Sequence, residues 1–525
     1  MAHTPARAPL AVRLLHVVLV LLVVAAVGLR FYALDRPLWL DEGASWWFAK
    51  LPWSALWGWL PTHENHSPLY YSLVRLMEGI SDRERWLRLP SLVAGLGAIA
   101  VTGFAAREIG VLRARPLAVL YAVALAATAP LALRHAYDAR PYALELLGAA
   151  LLMVGALRAL SPASVAAHAV VDRSAAACLI AGGLLTAWSQ YVGMLTVAAT
   201  YAALGLAALL AVPRALRKTA LLRLTGTGVL TALGCLPIVG AVLHRQGVIK
   251  SDFWTGRLTR DGVYSTADIL TGPAFLEWGG TLTHLLTLGI LAITAAGLVI
   301  LWRVPARRPA ALVLAATLAL PFAGLVLASL GPVSLLIPRS LIALEVPLAL
   351  LTVVVLTALP LTLGALLGVV LAGLGLYGAL IDATEDPRED WPALLAALDE
   401  RLTPDTTVVF ESEDLLTVAS YYHRAPLNAR ATLRVREGLV SPVPEEFGTK
   451  AALLPFTPVA PESLAAALDP VGPVIVVSRA GHGHLAPGAL RDALTRSHNE
   501  AENVPGGRLL RLHRWVRAPG SATDP

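Results

Sequence analysis

About eleven apolar runs punctuate the chain, near residues 12–30, 87–106, 116–133, 142–159, 174–189, 192–212, 224–243, 284–302, 310–330, 341–358 and 361–381. Each is close to the length a helix needs to cross the roughly 30 Å hydrocarbon layer of a bilayer. Only Gln190-Tyr191 separates the fifth run from the sixth. The pattern predicts an α-helical polytopic membrane protein with about 11 transmembrane helices. Arg7 and Arg13 precede the first run as they would in a signal peptide. That run is long enough to span and many more follow, so it reads as an uncleaved first span.

The pattern changes after residue 381. Residues 382–525 are mixed in charge and rich in Pro, with short apolar runs. Thr407–Phe410, Pro473–Val477 and Leu509–Trp515 read as strands, and Leu415–Tyr422 and Pro487–Arg496 as helices. Strands alternating with helices predict a small α/β domain. Arg517–Pro525 reads as a disordered tail. The expected organisation is a transmembrane domain over 1–381, with a long first loop at 31–86, followed by the α/β domain.

Basic residues orient the spans. Arg7, Arg13, Arg107, Arg113, Arg115, Arg158, Arg173, Arg214, Arg217, Lys218, Arg223, Arg303, Arg307 and Arg308 fall on one side. By the positive-inside rule that side is cytoplasmic. The N-terminus is then cytoplasmic, and the C-terminal domain extracytoplasmic, of a multi-pass protein of the plasma (inner) membrane. Four outward loops result, at about 31–86, 134–141, 244–283 and 331–339.

Composition agrees: 56% of residues are hydrophobic, 15% are charged and the mean hydropathy is +0.64, which excludes an ordinary soluble globular chain. The net charge of +6 is spread between apolar runs rather than gathered in a patch, so nucleic acid is not an expected partner. Cys178 and Cys235 both lie in apolar stretches, which argues against a disulfide framework or a Cys-ligated metal.

Candidate chemistry gathers in the outward loops. Asp41-Glu42 follow the first span in Trp39-Leu40-Asp41-Glu42-Gly43, and two carboxylates at a membrane exit point to binding or catalysis. Trp53, Leu56, Trp57 and Leu60 have the spacing of one helical face and read as an interfacial anchor that also shapes a groove. His63-Glu64-Asn65-His66-Ser67-Pro68-Leu69-Tyr70-Tyr71 brings two imidazoles close together. Pro61 and Pro68 oppose a regular helix there, so hydrogen bonding to sugar, phosphate or backbone is weighed against metal binding. Arg88 reads equally as a snorkelling anchor or a phosphate contact. Arg134-His135-Ala136-Tyr137-Asp138-Ala139-Arg140-Pro141-Tyr142 is denser in polar and aromatic groups than a surface turn needs. Lys250 in the third loop and Arg339 in the fourth are further cations. No motif demands a cofactor; Asp41, Glu42 and His66 are the candidate ligands of a divalent metal.

Trp39-Leu40-Asp41-Glu42, His66-Ser67-Pro68-Leu69-Tyr70-Tyr71, Arg88-Leu89-Pro90-Ser91 and Ala139-Arg140-Pro141-Tyr142-Ala143-Leu144 occur in this order. Together they resemble the protein-mannosyltransferase-like bacterial glycosyltransferases of the GT-C fold (family 39 type), a group that includes aminoarabinose transferases acting on lipid A. The resemblance is closest over residues 12–160. It implies a polyprenyl-phosphate-linked sugar donor, inverting transfer, an outward-facing site and Asp41 as the catalytic acid/base. The chain departs from the family in Ser67-Pro68, where Pro-Pro is usual, and in Arg339-Ser340-Leu341, where Arg-Tyr-Leu is frequent.

The expected reaction moves a mannose-like or pentose sugar to an acceptor hydroxyl on a protein, glycolipid or polysaccharide. Asp41 would take the hydroxyl proton and Glu42 would position it. His63, His66, Tyr70, Arg88, Tyr137, Asp138, Arg140, Tyr142, Lys250 and Arg339 would bind the donor and its membrane-embedded lipid. No Walker-type phosphate loop is present, as suits a lipid-linked donor. The rival is a secondary transporter or flippase for a lipid-linked or anionic substrate. It would favour midplane charges and repeated halves, which the sequence does not display.

Overall fold

The computed structural model describes residues 9–109 (except 59 and 65), 117–252, 255–385 (except 332), 389–403, 406–410, 413–422, 432–435, 457–458, 473–480, 494–495 and 498–518. The chain forms two compact units, one of residues 1–34 with 51–384, the other of residues 35–50 with 385–525. Residues 35–50, read from the sequence as the start of the first loop, thus pack with the C-terminal residues.

In the larger unit each expected span has a helical counterpart. Nine described helices are long and apolar enough to cross a membrane, or ten if a bent pair counts as one span. That pair is Leu117–Thr128 and Pro130–Ala136, which meet at 65°. Ala129 is extended before Pro130, as a residue preceding proline tends to be. Arg173–Ser189 has 17 residues, at the lower end of spanning length. The run at 224–243 belongs to a 39-residue helix, Arg214–Asp252. The third loop therefore begins later than the hydropathy pattern predicts, because a helix can continue into polar sequence where hydropathy stops.

Helix Tyr142–Ala159 is buried on nearly every face, as a helix that is apolar all round should be. It crosses Arg173–Ser189 at backbone contact. A Cβ on Gly182 would press on Leu152 N and stand 2.8 Å from Gly148 O. Small residues permit such crossings where lipid supplies no hydrophobic drive between helices. The opposite case is Leu10–Tyr32, which exposes Leu14, Val17, Leu21 and Val24. At the end of the last long helix, Leu361–Thr384, Asp382 accepts hydrogen bonds from Arg134 Nε (2.7 Å) and Nη2 and from Tyr137 OH (2.9 Å). This ties the 137–141 turn to the final span.

The second unit holds a six-stranded sheet in the order β3-β2-β1-β4-β6-β5. Its strands are β1 (Thr407–Phe410), β2 (Thr432–Val435), β3 (Thr457–Pro458), β4 (Val474–Arg479), β5 (His498–Gly506) and β6 (Leu510–Arg517). The first four in that order are parallel, while β6 runs antiparallel to β4 and β5. All four residues of β1 are buried, as expected of a parallel strand covered on both faces. The expected strands and the helix at Glu413–Tyr422 are present. Strands β2 and β3 and the polar edge strand β5 are additional to the sequence reading. Apart from residues 494–495 the expected helix at 487–496 lies outside the described residues, as does the tail after residue 518, while Arg517 ends β6.

Candidate functional site

The site in the membrane unit is built around Tyr142. Ser67 is the N-cap of helix Pro68–Glu78, with Pro68 at its first position, which gives the Ser-Pro pair a structural reason. Ser67 Oγ also donates to the Trp188 carbonyl. The cap fixes His66 just before it, buried, with Nε2 3.2 Å from Tyr142 OH and Nδ1 3.1 Å from Glu64 Oε1. An Nδ1–H donated to Glu64 leaves Nε2 to accept the Tyr142 hydroxyl, so the neutral imidazole satisfies both bonds. Arg140 Nη2 lies 3.3 and 3.4 Å from the two ring nitrogens. Burial, then Arg140, push the His66 pKa down to about 4, Glu64 opposes the shift and Arg339 adds to it.

Arg140 leaves the 137–141 turn and Arg339 stands at the start of the 3-10 turn Pro338–Leu344. Distant in sequence, they meet at one ring: Arg140 Cζ is 6.0 Å and Arg339 Cζ 5.8 Å from the Tyr142 centroid. The same ring contacts His66 edge-on at 5.7 Å and His135 at 4.5 Å. His135 Nδ1 is 3.0 Å from Asp138 Oδ2. Tyr70 OH lies 2.6 Å from Ser91 Oγ, which donates to the Arg140 carbonyl at 2.9 Å. Tyr70 therefore holds the backbone behind Arg140. Gln190 Nε2 donates to Ser340 Oγ at 3.2 Å and steadies the turn beside Arg339.

Of the residues predicted from sequence, the structure brings His66, Arg140, Tyr142 and Arg339 together, with Asp138 behind them through His135. Tyr137 bonds Asp382, as described above. Arg88 is buried and donates to the Leu34 carbonyl at 2.9 Å. His63 and Lys250 lie on helices, and their side chains fall outside the described residues. Sequence reading missed Glu64, Ser91, Gln190 and Ser340, small or polar residues whose roles depend on partners far along the chain. A separate cavity of about 140 Å³ in this unit is lined mainly by aliphatic residues, with Thr128, Thr352 and Glu345 among them. Its lining includes neither Arg140 nor Arg339. Among the described residues no group of three or more His, Cys, Asp or Glu is placed to hold a metal ion.

Asp41 and Glu42 belong to the second unit, in the first turn of helix Leu40–Lys50. Glu42 is buried and its Oε2 accepts from Trp39 N at 3.3 Å, closing the start of its own helix as the acidic member of a capping box does. Asp41 is half-buried beside it, where the helix dipole favours a negative charge.

The arrangement can hold an anion. Arg140 and Arg339 both stand against the Tyr142 ring. Their planar N–H forks suit phosphate oxygens. A neutral His66 adds no competing charge.

No protein-family model and no curated protein sequence matches the chain. Among solved structures it is similar to ArnT from Cupriavidus metallidurans in the apo state, at 16% identity, over 94% of this chain and 97% of that one, with a TM-score of 0.60. It is also similar to ArnT of the same organism bound to undecaprenyl phosphate, at 16% identity, over 96% and 99% of the two chains, with a TM-score of 0.56. The chain thus has the fold of these two ArnT structures, in agreement with the GT-C fold that the sequence motifs implied.

Proposed function

We propose that this protein is an integral membrane glycosyltransferase that moves a sugar from a polyprenyl-phosphate donor to an acceptor hydroxyl on the outer face of the membrane. The observation that supports the reading is the meeting of Arg140 and Arg339 at Tyr142 beside His66. The fold adds support, since a solved structure that shares it holds undecaprenyl phosphate.

In this reading the lipid phosphate of the donor sits against Arg140 and Arg339. The acceptor oxygen attacks the anomeric carbon from the face opposite the phosphate. The bond from that carbon to the phosphate oxygen breaks, its electron pair leaves with the lipid phosphate, and the configuration inverts. The two guanidinium groups stabilise the charge that develops there. The acceptor proton passes to Asp41, the acid/base position that the sequence motif implies. Tyr142 and His66 orient the arginines, and Tyr70 with Ser91 holds the turn behind Arg140. The sugar is mannose-like or a pentose, and the acceptor a protein, glycolipid or polysaccharide.

The test is binding of undecaprenyl phosphate to the purified full-length protein. Each charge-assisted contact contributes about 1.5–3 kcal/mol. Arg140→Gln and Arg339→Gln should each weaken binding roughly 10- to 100-fold with folding retained. Unchanged affinity in both variants would remove the phosphate site from this cluster.

A further inference from the structure

Glu389 stands where the C-terminal residues leave the last span, and nothing in its sequence neighbourhood singles it out. Its side chain is 1% exposed, yet it is a carboxylate. Three donors on distinct elements surround it. Oε2 accepts from Leu40 N at 2.9 Å and from Trp391 Nε1 at 2.8 Å. Oε1 accepts from Arg479 Nε at 2.6 Å. Leu40 is the first residue of helix Leu40–Lys50 and the immediate neighbour of Asp41. Trp391 opens helix Trp391–Asp399, and Arg479 ends strand β4. One buried carboxylate thus joins the sheet, a domain helix and the backbone next to the acidic pair.

Other contacts in the same unit act on the same segment. Tyr422 OH accepts from Leu38 N at 2.7 Å. Trp46 packs edge-on against Tyr421 at 5.3 Å. A Cβ on Gly43 would press on Val418 Cγ2 and stand 3.2 Å from Val418 Cα, so the glycine lets helix Leu40–Lys50 lie directly on helix Glu413–Tyr422. In the Asp-Glu-Gly run, Glu42 closes the start of its own helix and Gly43 lets that helix lie on helix Glu413–Tyr422.

We propose that Glu389 is a positioning residue for Asp41, and that the C-terminal domain serves the reaction by holding the helix that carries this carboxylate. The inference rests on the reading of Asp41 as the base. Glu389 touches no reacting atom in this account. It sets where Leu40 N lies, and so the place of the Asp41 side chain one residue on. A shift of about 1 Å in a catalytic group can cost on the order of 100-fold in rate.

The experiment compares variants of the full-length protein in detergent. A panel of synthetic decaprenyl-phosphate-linked hexoses and pentoses serves as donors, and undecaprenyl phosphate as the binding probe. Glu389→Gln should lower kcat about 10- to 100-fold while undecaprenyl phosphate affinity stays within about twofold. Tyr422→Phe removes one hydroxyl without emptying volume and should fold; it should lower kcat severalfold in the same manner. Trp391→Phe removes one of the three donors to Glu389 but leaves Leu40 N bonded to it, and should lower kcat less than Glu389→Gln. Combining Glu389→Gln with Asp41→Asn should cost no more than Asp41→Asn alone, since both act through one group. The proposal falls if Glu389→Gln and Tyr422→Phe retain normal kcat, if Trp391→Phe loses as much as Glu389→Gln, or if the losses multiply in the double variant. Should Glu389→Gln not fold, the result with Tyr422→Phe decides. Near-normal turnover by Asp41→Asn alone would instead overturn the assigned base, whatever Glu389 does.

Discussion

Tyr142 gathers two cations and two imidazoles around one ring, and the protonation of His66 decides how that cluster behaves. Its pKa of about 4 means the imidazole is neutral across the physiological range. The unfolded chain would take up this proton near pH 6.5, the folded one only near 4. Between these values the unfolded state binds more protons, so stability is fully present above about pH 6.5 and is lost as pH falls toward 4. Over that window the loss amounts to about 3 kcal/mol. Thermal unfolding from pH 4 to 8 should therefore be steeper for the wild type than for His66→Gln, which keeps a partner for Tyr142 but cannot charge. Equal slopes would show that His66 is not held neutral. At this scale the sequence displayed the residue types, because His, Arg and Tyr packed into short loops stand out against apolar spans. It did not display their pairing: that Tyr70 acts through Ser91 on the Arg140 carbonyl, or that Glu42 caps its own helix, depends on geometry alone.

The helices were legible because lipid imposes one rule, a long apolar run with its backbone bonds satisfied internally. Breaks and overruns were not legible. The 65° bend before Pro130 interrupts a run of unbroken hydrophobicity, and Arg214–Asp252 continues past the point where hydropathy ends. Strand β5 escaped notice because an edge strand needs few apolar residues, and His498–Gly506 is mostly polar. The helix that carries Tyr142 depends on its crossing with Arg173–Ser189. Gly182→Val would force the backbones apart at Leu152 and Gly148. Overpacking of this kind costs typically 1–3 kcal/mol. The variant should lower the melting temperature in detergent and weaken undecaprenyl phosphate binding, while Ala181→Val, one residue away on the same helix, should do neither. Unchanged melting of Gly182→Val would remove the close crossing from the account.

For the whole molecule, the sequence placed the acidic pair in a loop of the membrane domain, and the structure packs residues 35–50 with the C-terminal residues. Hydropathy cannot reveal that grouping, since the contacts of Gly43, Leu38 and Leu40 are made to residues more than 300 positions away. The topology we propose from the positive-inside pattern puts this unit outside the cytoplasm. An alkaline phosphatase fused after Asp382 should be active and a cytoplasmic reporter at the same point silent; the reverse pattern would invert the proposed topology. The central claim is transfer of a sugar from a polyprenyl phosphate with Asp41 as base. It is tested most directly by incubating purified protein with labelled decaprenyl-phosphate-linked hexoses and pentoses and an envelope extract that supplies acceptors. The wild type should transfer label from at least one donor and release the lipid phosphate. Asp41→Asn should bind undecaprenyl phosphate normally yet turn over about two to four orders of magnitude more slowly. Movement of intact donor across a bilayer without bond cleavage, or near-normal transfer by Asp41→Asn, would contradict the account.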